Sequence, residues 1–134
     1  MRKEIENWWK QAQRDFLSAS HSFESGDFYV SVFFCHQAVE KALKTMVMMK
    51  QKKREIESHS LIFLGKEANI PEKFHDFLRE LTPQYIITRY PSAGNEVPFE
   101  LYSKERAEIF LEKTREVLTW IKKQVTQQKN SHQE

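Results

Sequence analysis

Between Phe28 and Lys50 the chain places apolar residues on most sides of a helix, broken by one narrow polar stripe. Gln37, Glu40, Lys41 and Lys44 fall at i, i+3, i+4 and i+7, so they share a face. Val32, Cys35, Val39, Ala42 and Met46 fall on the opposite side and read as core. A helix that is apolar around most of its circumference belongs at the centre of its domain. A buried stripe of polar groups must then be paired, solvated or used. As scaffold, Glu40 and Lys44 form an i, i+4 pair at a bundle groove or a dimer seam. As a site, Lys41 and Lys44 bind phosphate while Gln37 reads a base or ribose.

The flanking sequence predicts more helices. Ile5, Trp8, Trp9, Ala12, Phe16, Ala19 and Phe23 follow helical spacing over 4–24. Gly26 ends that helix and Asp27 can cap the next. Ser58 or Ser60 can cap a short third helix containing Leu61, Ile62, Leu64 and Ala68. Asn69-Ile70-Pro71-Glu72 reads as the start of a fourth helix, with Pro71 suited to its first turn, and Thr82-Pro83 ends or kinks it. Gln84 to Tyr90 fits either one more helical turn or an extended piece. Pro91 to Pro98 is a loop by composition. Ser103 can cap a last helix whose stripe runs through Ala107, Phe110, Leu111, Thr114, Leu118, Ile121 and Val125.

These elements predict an all-α, up-and-down bundle of four to five helices. The 134 residues fit a single domain, with a core over about 5–125 and a polar tail over 127–134 that frays. Three Gly and four Pro are too few for the frequent turns of a β-sandwich. A net charge of +2 does not by itself imply nucleic acid, so the placement of charge matters more than its sum. The Lys50-Gln51-Lys52-Lys53-Arg54 run either complements the helix dipole as a solvated end or contacts phosphate. The one cysteine, Cys35, excludes an internal disulfide and a multi-Cys zinc site, and its apolar setting predicts a buried, inert thiol. No apolar run approaches ~18 residues, and Met1-Arg2-Lys3-Glu4 leads straight into an amphipathic pattern. A cytoplasmic protein without a membrane span is therefore expected.

Several local patterns converge on one family. The first helix carries Trp9, Ala12, Asp15, Phe16 and Ala19. The second carries Tyr29, Phe33, His36-Gln37-Ala38 and Glu40-Lys41-Ala42-Leu43-Lys44. His59-Ser60-Leu61 and Thr88-Arg89-Tyr90-Pro91 come later in the chain. Together these resemble a HEPN domain over about residues 5–125. The resemblance implies a helical bundle that is usually a homodimer. It also implies a minimal nucleotidyltransferase as partner, with the pair acting as a toxin–antitoxin system. Many members of that family are metal-independent endoribonucleases, marked by an Arg and a following His with four to six residues between them.

No His occurs between Arg89 and Glu96, so the Arg-Tyr-Pro element does not supply that signature. Arg54 with His59, and Arg14 with His21, have comparable spacing; the second pair sits in mid-helix. The expected module therefore binds nucleotide or RNA through Arg89, Tyr90, Gln37, Lys41 and Lys44. The alternative is an endoribonuclease using His59 and Arg54, or Arg89, at a dimer cleft. A histidine can take the 2′-hydroxyl proton and an arginine can hold the charged phosphate. Arg89 has a competing structural role as an ion-pair partner of Glu40 or another acid. His59 likewise reads as either a base or a capping surface residue. His36 and Glu40 have i, i+4 ligand spacing but no evident third ligand, so neither metal nor other cofactor is expected. Trp8, Trp9 and the ten Phe read as core and interface packing, not as platforms for bases.

Overall fold

The computed structural model describes residues 1–51 and 57–133, with side chains through residue 130. Three long helices make the frame: α1 (Lys3–Glu24), α2 (Phe28–Gln51) and α7 (Lys104–Gln133). Between α2 and α7 lie α3 (Leu61–Glu67), α4 (His75–Leu81), α5 (Gln84–Ile87) and α6 (Pro91–Gly94), with 3₁₀ turns at Glu72–Phe74 and Pro98–Leu101. No strand occurs among the described residues, so the fold is all-α, as the periodicity requires. The helices α5 and α6 are single turns. The first resolves the ambiguous Gln84–Tyr90 stretch, and the second puts a turn inside what composition marks as loop.

Local chemistry explains the boundaries. At the end of α1, the Gly26 N–H donates to Phe23 O and the Asp27 N–H to Ser22 O. This Schellman pair requires a left-handed residue, and Gly26 supplies it at φ +86. The chain then reverses at once, so α1 and α2 pack as an antiparallel hairpin. Asn69 performs the same closure at the end of α3, at φ 57, with its N–H on Lys66 O and that of Ile70 on Gly65 O. Asn69 therefore ends a helix, and the next helical segment begins only after Pro71. Ser60, not Ser58, caps α3 by accepting from the Phe63 N–H, and the Ser103 hydroxyl accepts from the Arg106 N–H in α7.

The helix α2 is the centre, packed against α1, α7, α3 and α5. Val32, Cys35, Val39, Ala42, Leu43 and Val47 are fully enclosed, and Met46 packs at the margin. Against them sit Trp9, Ala12 and Ala19 from α1, and Ala107, Leu111, Val117, Ile121 and Val125 from α7. The burial of Cys35 pushes its thiol up to about 12, so the inert reading holds. The helix α7 continues to Gln133, so the polar 127–133 segment is helical.

The join between α3 and α4 is tight at Gly65. A Cβ there would stand 2.6 Å from Leu78 Cδ1 and 3.1 Å from Ile70 Cγ2, and Leu78 is fully enclosed. We expect Gly65→Val to destabilise the domain by about 3 kcal/mol, since overpacking forces neighbours off their rotamers. Urea denaturation of the two proteins measures it, and an unchanged midpoint would contradict this packing.

Candidate functional site

The polar stripe of α2 divides between two neighbours. On one side, Lys41 Nζ lies 2.5 Å from Asp15 Oδ2 of α1 and 3.2 Å from Gln37 Oε1. Gln11 completes this group by donating to Asp15 Oδ1 at 2.8 Å. On the other side, Glu40 is a hub. Its Oε2 accepts from Lys44 Nζ at 3.1 Å and its Oε1 lies 2.9 Å from His59 Nδ1. The scaffold pair expected between Glu40 and Lys44 thus forms, with both side chains buried.

Helix α2 and the segment before α3 position the imidazole. Glu40 is fixed on the central helix, while His59 stands one residue ahead of the cap of α3. A carboxylate only accepts, so His59 Nδ1 carries the proton in this bond, and in the neutral ring Nε2 keeps its lone pair. The His59 side chain is 57% exposed. Burial pushes the Glu40 carboxyl up. The hydrogen bond from His59 and the Lys44 ammonium outweigh that effect and hold it below the usual carboxylate value.

Tyr85 joins the parts. The His59 ring stacks on it at 4.7 Å between centroids, and the His36 ring lies tilted at 5.2 Å. Arg89, four residues on, sits over Tyr85 at 5.5 Å, over Phe33 at 5.6 Å and over Tyr90 at 5.1 Å. Its Nε donates to Tyr85 O at 2.5 Å. The guanidinium is exposed, and no ion pair among the described residues joins it to Glu40. His59 and Arg89 therefore flank one aromatic ring, a proximity that their sequence separation does not display. Tyr85 was missed by sequence reasoning. Its i, i+4 relation to Arg89 was the available signal, hidden because the segment could be read as extended.

The other residues expected at a site are dispersed. Tyr90 is exposed beside Arg89. Gln37 and Lys41 are half-buried at the α1 seam, and Lys44 is buried with its charge against Glu40. Arg54 lies outside the described residues. Trp9 is core, whereas Trp8 is half-buried and lines a surface cavity. Among the described residues, no group of three or more His, Cys, Asp or Glu forms a cation cage. No described helix is long and apolar enough to cross a membrane.

The fold is that of a small all-helical bundle built around one central helix. The chain matches the HEPN domain over residues 5–124, and it belongs to that family. It is similar to TT1696 from Thermus thermophilus, with 26% identity and a TM-score of 0.80, over 91% of this chain and 98% of that one. It is also similar to ST0689, an archaeal HEPN homologue, with 28% identity and a TM-score of 0.75, over 93% and 99% of the two chains. No curated protein matches the chain.

His36 gives this region a pH dependence. Its ring is fully buried, and Glu40 Oε1 stands 3.8 Å from its Nδ1. Burial pushes it from 6.5 down to about 4, against the opposing pull of Glu40. The folded protein keeps it neutral while the unfolded chain takes a proton below the ordinary value. Stability is therefore full above 6.5 and falls as the pH drops towards 4. This site accounts for about 3 kcal/mol by pH 4. Urea melts at pH 7 and pH 4 should show His36→Leu losing that much less than the parent protein. Equal losses would mean that His36 is charged in the folded state.

Proposed function

We propose that the domain is a HEPN-type module that binds nucleotide or RNA at the face formed by His59, Tyr85, Arg89 and Tyr90. One observation carries the reading: an exposed guanidinium with no carboxylate partner among the described residues, held over three rings beside an exposed imidazole. Arginine grips phosphate through paired N–H groups, and its planar head keeps that capacity while resting on aromatic faces. Lys41 and Lys44 serve this face indirectly, because Asp15 and Glu40 already neutralise their charges. Gln37 holds Lys41 in the same seam. In this reading the domain works as a homodimer beside a minimal nucleotidyltransferase, in a toxin–antitoxin-like pair within the cytoplasm. Ile86, Tyr90, Val97 and Phe99 are exposed apolar residues on the stretch around Arg89, and they favour an association there.

A second reading is favoured by the Glu40–His59 bond. A carboxylate that fixes an imidazole tautomer is the arrangement of a general base, with Nε2 free to take a 2′-hydroxyl proton. Arg89, or Arg54, would then steady the charge on the phosphate, giving a metal-independent endoribonuclease.

Arg89→Ala should weaken RNA affinity about tenfold with an unchanged melting temperature, since the side chain is exposed. Fluorescence anisotropy with labelled RNA measures the first and a thermal melt the second. A lost fold would mark Arg89 as structural. Separately, RNA incubated with the protein in EDTA distinguishes binding from cleavage. Cleavage abolished by His59→Ala would establish the second reading, and intact RNA would favour the binding module.

A further inference from the structure

We propose that the groove at Trp8, between α1 and α2, is a second subsite that takes a nucleobase, and that the ligand is a short single strand of RNA. The inference rests on the phosphate-binding reading of Arg89 and extends it along α2.

The cavity is lined by Glu4, Asn7, Trp8, Gln11 and Lys41. Its volume of about 270 Å³ falls just under the ~300 Å³ at which pockets for drug-sized ligands begin, so it suits one planar ring. Trp8 and Trp9 are neighbours in sequence but have opposite roles. Trp9 turns inward with Ile5 and Ala12, whereas Trp8 shares its face with Glu4 and Gln11, at i−4 and i+3. A large aromatic on a polar face offers a stacking surface that any base can use. Around it stand two amides, a carboxylate and an ammonium, which together donate to and accept from a base edge. The charges are already paired: Lys41 with Asp15, and Glu4 with Arg2 at 3.5 Å. The groove therefore favours a neutral polar ring over a phosphate.

Position ties this groove to the first face. Lys44 Nζ lies 5.4 Å from the Trp8 ring centroid and bonds Glu40, which holds His59. The buried Glu40–Lys44 pair thus touches the Trp8 groove at one end and the imidazole at the other. Along α2, Arg89 rests over Phe33 and Trp8 over Lys44. At 1.5 Å per residue these two positions are about 16 Å apart. That is about five nucleotides at ~3.4 Å each, and fewer for an extended strand. A lone nucleotide cannot reach both.

The test compares fluorescein-labelled 2′-O-methyl RNA dinucleotide and hexanucleotide, which lack the 2′-hydroxyl needed for self-cleavage, by anisotropy. The wild-type protein should bind the hexanucleotide about tenfold more tightly than the dinucleotide. Trp8→Ala should lose that gain while binding the dinucleotide normally, Trp8→Phe should keep most of it, and Arg89→Ala should weaken both lengths. Asn7→Ala, at an exposed position, covers the case in which Trp8→Ala fails to fold, and should weaken only the hexanucleotide. If the Trp8 and Asn7 variants match wild type at both lengths while Arg89→Ala does not, the subsite is overturned and the Arg89 reading stands. If wild type binds neither length, both fall. If Trp8→Ala leaves RNA binding intact but abolishes association between protein copies, the groove is a protein-docking surface and the subsite is overturned.

Discussion

The buried carboxylate of Glu40 is the constraint on which this domain turns. An ionised carboxylate withdrawn from water is costly unless charge and hydrogen bonds surround it. Here Lys44 supplies the charge from one turn along the same helix, and His59 supplies a second donor from the segment before α3. Satisfying Glu40 fixes where that segment must run. It also fixes which way the imidazole faces, so an internal electrostatic requirement sets the geometry of an outward-facing site.

The seam to α1 obeys the same logic with different partners. Asp15 is buried, and it is tolerated because Lys41 and Gln11 both reach it. The stripe of α2 thereby serves two helical neighbours at once, α1 through Lys41 and the α3–α5 side through Glu40. The face bearing His59, Tyr85 and Arg89 rests on the central helix of the bundle, although its residues come from short elements and connections. Rigid support of this kind suits a site that must hold groups in register.

Much of the fold was legible in the chain because burial imposes a period. The apolar spacing of α1, α2 and α7, the glycine after α1 and the serines at Ser60 and Ser103 each state a local preference that packing then obeys. The short elements were less legible. Single turns such as α5 and α6 have too few residues to show a period, and Asn69 closes a helix where its neighbour Pro71 suggests an opening. For the site, the stripe residues were legible but their pairing was not. Sequence places Lys41 and Lys44 on one face, whereas only the fold decides that Asp15 and Glu40 will reach them. Tyr85 carried only its i, i+4 relation to Arg89, which counts only if the segment is helical, and α5 brought it against two imidazoles.

The bond from Arg89 Nε to the Tyr85 carbonyl has a directional consequence. It occupies one side of the guanidinium with the helix that bears it, leaving the edge formed by the two terminal nitrogens. On the phosphate-binding reading proposed for Arg89, an oxyanion meets that edge in the plane of the head group, because the rings of Tyr85, Tyr90 and Phe33 crowd around it. The domain thus prescribes the angle at which an anion can meet Arg89 before any ligand arrives.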